Sequence, residues 1–68
     1  MQYMWTRIDS IWYFTPVPGV TVEPCMTSRG PGWQALCGGK PIPSIKTHRR
    51  SDMVRRAVWE FFDRRVNL

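Results

Sequence analysis

The sequence predicts an α+β fold: an antiparallel meander of three or four strands followed by one C-terminal amphipathic helix. Between residues 3 and 46, short aromatic and β-branched runs alternate with turns built from Gly, Pro, Asp and Ser, the pattern of hairpin-linked strands. From Met53 to Val66 the apolar residues switch to helical i, i+3, i+4 spacing. The excess positive charge gathers where the two patterns meet. At 68 residues the chain reads as one small domain over 1–68, with sheet at 3–46, basic loop at 46–50 and helix at 51–66.

Tyr3–Ile8 and Ile11–Thr15 are the first extended runs, with Asp9 and Ser10 between them as a turn. Pro16-Val17-Pro18-Gly19 turns the chain into Val20–Met26. Gly30-Pro31-Gly32 breaks it again before a short strand, Trp33–Cys37, and Gly38-Gly39 leads into Pro41–Lys46. Pro41 and Pro43 lie two apart, so their missing N–H groups point the same way. That confines Pro41–Ile45 to a sheet edge or an extended loop.

The helix stripe comprises Met53, Val54, Ala57, Val58, Phe61, Phe62 and Val66. Ser51 suits the N-cap, Asp52 the positive end of the helix dipole, and Arg64 and Arg65 the negative end. Asp52–Arg56, Arg56–Glu60 and Glu60–Arg64 are spaced as i, i+4 ion pairs.

A hairpin closed by Gly30-Pro31-Gly32 sets Cys25 opposite Cys37, Met26 opposite Leu36 and Arg29 opposite Trp33. One closed by Pro16–Gly19 sets Tyr13 opposite Val22. Strand side chains alternate, so Ile11, Tyr13, Val20, Val22, Met26 and Leu36 share a face that matches the helix stripe. Trp12, Phe14, Thr21, Glu23, Cys25, Trp33, Ala35 and Cys37 share the other, and a one-residue slip exchanges the sets. On this reading Trp12, Phe14 and Trp33, with Trp59 from the polar side of the helix, form a partner interface. The protein is then expected to work as a homodimer or in a hetero-complex.

Hydrophobic residues at 43% and charged residues at 22% exclude wholesale disorder. No apolar stretch approaches the roughly 20 residues of a membrane span, and no basic-then-apolar leader is visible. The expectation is a cytoplasmic protein without a membrane partner, with Cys25 and Cys37 reduced unless the surroundings oxidise. Two cysteines twelve apart and a lone His48 do not make a zinc-ligand spacing. Nor do they form a nucleophile, base and orienting-acid set. Asp52, Glu60 and Asp63 lie beside arginines, as a solvated network does, and the glycine turns lack the Lys-Ser/Thr of a phosphate loop. No enzyme, metal or cofactor is expected.

From residue 1 to 30, Arg7 and Arg29 balance Asp9 and Glu23. From Pro31 onward eight Lys and Arg face Asp52, Glu60 and Asp63, so that half carries the whole net charge of +5. Lys46, His48, Arg49 and Arg50 lie in the loop before the helix, with Arg55 and Arg56 one turn inside. Cations beside a helix N-terminus grip phosphates with side-chain charge and free N–H groups. Aromatics on a neighbouring face can stack bases. The plain alternative is a solvated face in which Arg56 pairs with Asp52 and Glu60. Trp59 is spaced for a cation–π contact with Arg55.

Trp33-x-Ala35-x-Cys37, the Gly38-Gly39 turn, an extended segment to Lys46 and a helix containing Arg56-Ala57 follow one another. This order resembles small DNA-binding domains of three strands and a helix, such as those at the N-terminus of tyrosine integrases and in AP2 factors. The resemblance covers Trp33–Lys46 and Ser51–Phe62, roughly the second half of the chain, and departs at the prolines Pro41 and Pro43. It implies a sheet entering the major groove, with Arg29, Gln34 and Lys40 on DNA. The Arg- and Trp-rich, Lys-poor style also resembles small orphan proteins of actinobacterial phages. The expected function is a non-catalytic nucleic-acid-binding accessory protein, phage-encoded on that second resemblance, with DNA ahead of RNA. Its phosphate contacts would come from Lys46, His48, Arg49, Arg50 and Arg55. The rival class is a protein-interaction module that docks on a host protein or a virion component.

Overall fold

Five antiparallel strands lie side by side in the order in which they occur along the chain. They are β1 (Trp5–Ile8), β2 (Ile11–Phe14), β3 (Val20–Thr27), β4 (Gly30–Cys37) and β5 (Lys40–Pro41), followed by α1 (Ser51–Val66). The computed structural model describes residues 4–66. Tyr3, read as part of the first strand, and the side chains of Arg64, Arg65 and Val66 lie outside that description. The α+β class and the meander are as predicted, with one strand more than the upper count. The extra one is the two-residue β5, at the sheet edge where the prolines require it. Among the described residues no helix is long and apolar enough to cross a membrane.

Most turns fall where expected. Asp9 adopts a left-handed φ of 56° between β1 and β2, which Asp tolerates better than most residues. Gly38 and Gly39, at φ 62° and 83°, form the two-residue link between β4 and β5. The β3–β4 hairpin is a correction. Gly30-Pro31-Gly32 is not its turn but the start of β4, and the chain reverses at Ser28 and Arg29. Thr27 closes the reversal: its hydroxyl donates to the Gly30 carbonyl at 2.7 Å and accepts the Arg29 N–H at 3.1 Å. Pro31 is tolerated because odd-numbered residues of β4 point their N–H groups away from β3, as Trp33 does toward His48. Pro24 sits beyond the last residue that β2 can pair.

These turns change the register. Cys25 stands opposite Gly32 and Cys37 opposite Val20, while Trp12 stands opposite Val22 and Tyr13 opposite Thr21. The one-residue slip between β2 and β3 and the moved β3–β4 turn exchange the expected faces of β2 and β4, while Val20 and Val22 of β3 face the helix as predicted. Arg7, Trp12, Val22 and Ala35 form a row on the helix side, flanked by Trp5, Phe14, Val20 and Trp33. Thr6, Tyr13, Thr21, Leu36 and Pro41 form a row on the outer side. The physical reason is burial: Trp12 and Phe14 remove more apolar surface from water than Ile11 and Tyr13 would. The tyrosine hydroxyl also stays in solvent.

The core contains Phe14, Val20, Val22, Ala35, Ile42, Ile45, Val54 and Val58, with Trp5, Trp12, Trp33, Ala57, Phe61 and Phe62 packed against it. Of the predicted helix stripe, Val54, Ala57, Val58, Phe61 and Phe62 face the core, Met53 is 42% exposed, and the Val66 side chain lies outside the described residues. Phe14 links the two ends of the chain. Its ring centroid is 4.9 Å from Trp5 on β1 and 5.8 Å from Phe62 on α1.

Val58→Ala removes two buried methyl groups at a fully enclosed site. It should lower stability by about 2 kcal/mol, against a total of roughly 3–10 kcal/mol for a chain of this length. Met53→Ala should cost less than about 0.5 kcal/mol. Urea denaturation of the two variants checks the helix-facing assignment.

Candidate nucleic-acid interface

β5 covers only the last two residues of the β4 edge, so the rest of that edge must find other partners. The loop before the helix supplies them. Ile42 donates its N–H to Ala35 at 3.0 Å, and Trp33 and His48 exchange N–H···O bonds of 2.7 and 3.2 Å. This bridge brings His48 close over Gly32. A Cβ at position 32 would lie 3.1 Å from the His48 carbonyl oxygen and 3.0 Å from Thr27 Cγ2. The backbone approach depends on the missing side chain.

As a result the hairpin tip and the basic loop share a cleft of about 600 Å³, lined by Thr27, Ser28, Arg29, Pro31, Thr47, His48 and Arg49. Its lining holds hydroxyls, an imidazole and two arginines, with no carboxylate. Among the described residues, neither Arg29 nor Arg49 has an acidic partner within ion-pair distance. His48 Nδ1 accepts the Arg50 N–H at 3.0 Å, which leaves Nε2 as the ring's donor.

A second cleft, of about 500 Å³, adjoins the N-terminal turns of α1 and is lined by Met4, Trp5, Trp12, Asp52, Arg55, Arg56 and Trp59. Asp52 was expected to pair with Arg56. Instead Arg50 grips it at two points, Nε to Oδ1 at 3.0 Å and Nη2 to Oδ2 at 2.7 Å. Arg56 reaches Glu60 at 3.5 Å, the i, i+4 pair the sequence suggested. The Glu60–Arg64 pairing lies outside the described side chains. The hydrogen bond from Arg50 holds the Asp52 carboxyl below its usual range against an opposing desolvation, assisted by the Arg50 charge and by the Asp52 and Met53 backbone N–H groups.

Arg55 lies over the Trp12 ring, 3.9 Å from its centroid, and Arg7 approaches the same ring at 5.3 Å. The expected stacking partner of Arg55 was Trp59; the guanidinium turns to the sheet instead, where Trp12 is half-buried. Desolvation lowers the Arg55 pKa from its ordinary value, Asp52 opposes that and Arg7 adds to it. Nε of Arg55 and Nε1 of Trp12 are buried and find no acceptor among the described residues.

The site residues named from the sequence therefore fall into groups. Arg29, His48 and Arg49 converge in the first cleft, and Arg55, Trp12 and Trp59 in the second. Lys46 is exposed in the loop, and Arg50 is tied to Asp52. The trio assigned by resemblance is dispersed. Arg29 is at the hairpin tip, Lys40 follows the turn at the other end of β4, and Gln34 is on the outer face opposite Glu23. The Glu23 carboxylate there accepts the Thr21 hydroxyl at 2.9 Å. Phe14, placed at an interface by the sequence reading, is 2% exposed in the core, and Trp12 and Trp33 also lie on the face that the helix covers.

Cys25 and Cys37 are free thiols on opposite faces, not a cross-strand pair. Five strand positions separate Cys37 from the residue opposite Cys25, roughly 16 Å, too far for a disulfide. The sequence reading passed over Thr27, Ser28 and Thr47 in the first cleft and Trp5 in the second. Thr27-Ser28-Arg29, a hydroxyl-bearing turn, was the available signal for the first. Among the described residues, no three His, Cys, Asp or Glu side chains gather as a metal site. Comparison with protein-family models, curated proteins and solved structures finds no match to this chain.

Two outcomes follow from this geometry. Gly32→Ala should cost about 1–3 kcal/mol by forcing His48 off the β4 edge. Amide hydrogen exchange should show faster exchange at Trp33 and His48. Because the Asp52 pKa is lowered by folding, its contribution is complete above the ordinary carboxylate range and is lost as pH falls through the folded value. Wild type should therefore exceed Asp52→Asn in stability at neutral pH, and the difference should vanish on acidification. Urea midpoints for both proteins across a pH series measure it.

Proposed function

We propose that this protein is a non-catalytic nucleic-acid-binding module that holds phosphates between its β3–β4 hairpin tip and the loop leading into its helix. One observation carries the reading: Arg29 converges with His48 and Arg49 in a cleft whose other polar groups are hydroxyls and which has no carboxylate. Cations gathered without counter-charge repel one another, and an anion relieves that repulsion. Arginine, the imidazole N–H and the Thr and Ser hydroxyls all donate to phosphate oxygens. Lys46 extends the same basic surface, and a net charge of +5 favours approach to a polyanion. Arg50 contributes less, because a phosphate would have to compete with Asp52.

The outer sheet face is the poorer alternative, since Glu23 stands beside Gln34 and no strand residue of that face is Lys or Arg. A protein-docking reading used the aromatic sheet face and Trp59; the helix covers that face, which leaves it Trp59 alone, 39% exposed.

The test is binding to DNA and RNA over a salt series. With about three phosphates held, the log–log salt slope should be roughly −2 to −3. Replacing both Arg29 and Arg49 by Ala should flatten the slope by about two units and leave the fold intact, since both are exposed. No binding at low salt, or a slope indifferent to the double variant, would defeat the proposal.

A further inference from the structure

We infer that the tryptophan-lined cleft beside the helix start receives an unstacked base, so that the protein selects single-stranded over double-stranded nucleic acid. The inference rests on the phosphate-binding reading and adds the chemistry of a second site. The cleft is lined by the indoles of Trp5, Trp12 and Trp59 together with Arg55 and Arg56. Its volume of about 500 Å³ lies within the roughly 300–1,000 Å³ usual for small-molecule sites.

The lining selects among ligands. Two arginines disfavour a cation, and the one carboxylate, Asp52, is already held by Arg50. Three indoles are wasted on a bare inorganic anion. A ligand that is both planar and phosphorylated satisfies both sets of groups, and a nucleotide is such a ligand. The Arg55 guanidinium at 3.9 Å from the Trp12 centroid already fills one stacking position with a planar group. Trp5 is tilted against Phe14 and half-buried, which leaves Trp59, 39% exposed, as the platform nearest solvent.

Chain connectivity favours a strand over a free nucleotide. Arg49 lines the phosphate cleft and Asp52 the tryptophan cleft, and they are three residues apart. A polynucleotide lying along residues 47–56 meets both clefts. A duplex turns its base faces inward and can use only the first.

Fluorescence anisotropy with a labelled 12-nucleotide single strand, the matching duplex and a competing mononucleotide tests this. The single strand should bind at least tenfold more tightly than the duplex at equal salt. Trp59→Ala should weaken single-strand binding about tenfold with an unchanged salt slope, and Trp59→Phe should recover most of the loss. Trp59 is outside the core, so both variants should fold, which circular dichroism verifies. Equal affinity for duplex and single strand, a Trp59→Ala effect under twofold, or a mononucleotide as tight as the 12-mer would overturn the inference. Duplex binding that still depends on Arg29 and Arg49 while Trp59→Ala is silent would remove only the base site. Absence of all binding at low salt would remove both readings.

Discussion

The backbone bridge between Trp33 and His48 is the contact on which the rest of the architecture depends. A two-residue β5 leaves most of the β4 edge open, and unpaired edge groups must be satisfied by something. Residues 42–48 do this while delivering Ile42 and Ile45 to the core. Ordering a loop costs about 1–2 kcal/mol per residue in backbone entropy, so its two buried isoleucines and its edge bonds are needed to hold it. Gly32 is the condition that lets the loop approach so closely. The same approach sets the basic loop against the hairpin tip, so a stabilising contact also assembles the cleft between them.

Charge is partitioned around that loop. Arg50 and Arg56 are neutralised by Asp52 and Glu60, and Arg55 is laid over an indole. Arg29, Arg49 and Lys46 keep their charge toward solvent. A small domain gains nothing in stability from such a cluster, because like charges repel the compact state. Their retention at one end of the sheet, among hydroxyls, is the physical basis for reading that end as a surface for an anion.

The helix settles the fate of the aromatic residues. It covers Phe14 fully and Trp12 and Trp33 in part, with Trp5 and Phe62 completing a run of rings through Phe14. The outer face still shows Ile8 and Tyr13, but Thr6, Thr21, Glu23 and Gln34 are interleaved with them. The broad aromatic face that argued for a second subunit is therefore covered in large part by the chain's own helix.

Local signals determined much of this from the sequence. The helix at 51–66 follows from apolar periodicity, the Gly38-Gly39 turn from its need for positive φ, and the edge position of Pro41 from its missing N–H. The cations before the helix were equally plain, because charge needs no partner to be counted. Register was not legible. Thr27-Ser28-Arg29 and Gly30-Pro31-Gly32 are both acceptable turns locally, and only the pairing of eight residues on each strand favours the first. A one-residue slip between β2 and β3 then decided which β2 side chains met the helix, and the moved turn decided those of β4. The meeting of Arg29 with His48 and Arg49, and of Arg55 with Trp12, joins residues distant in the chain. Spacing along the sequence carries no record of such contacts, because they arise from strand pairing and from packing of the helix across the sheet.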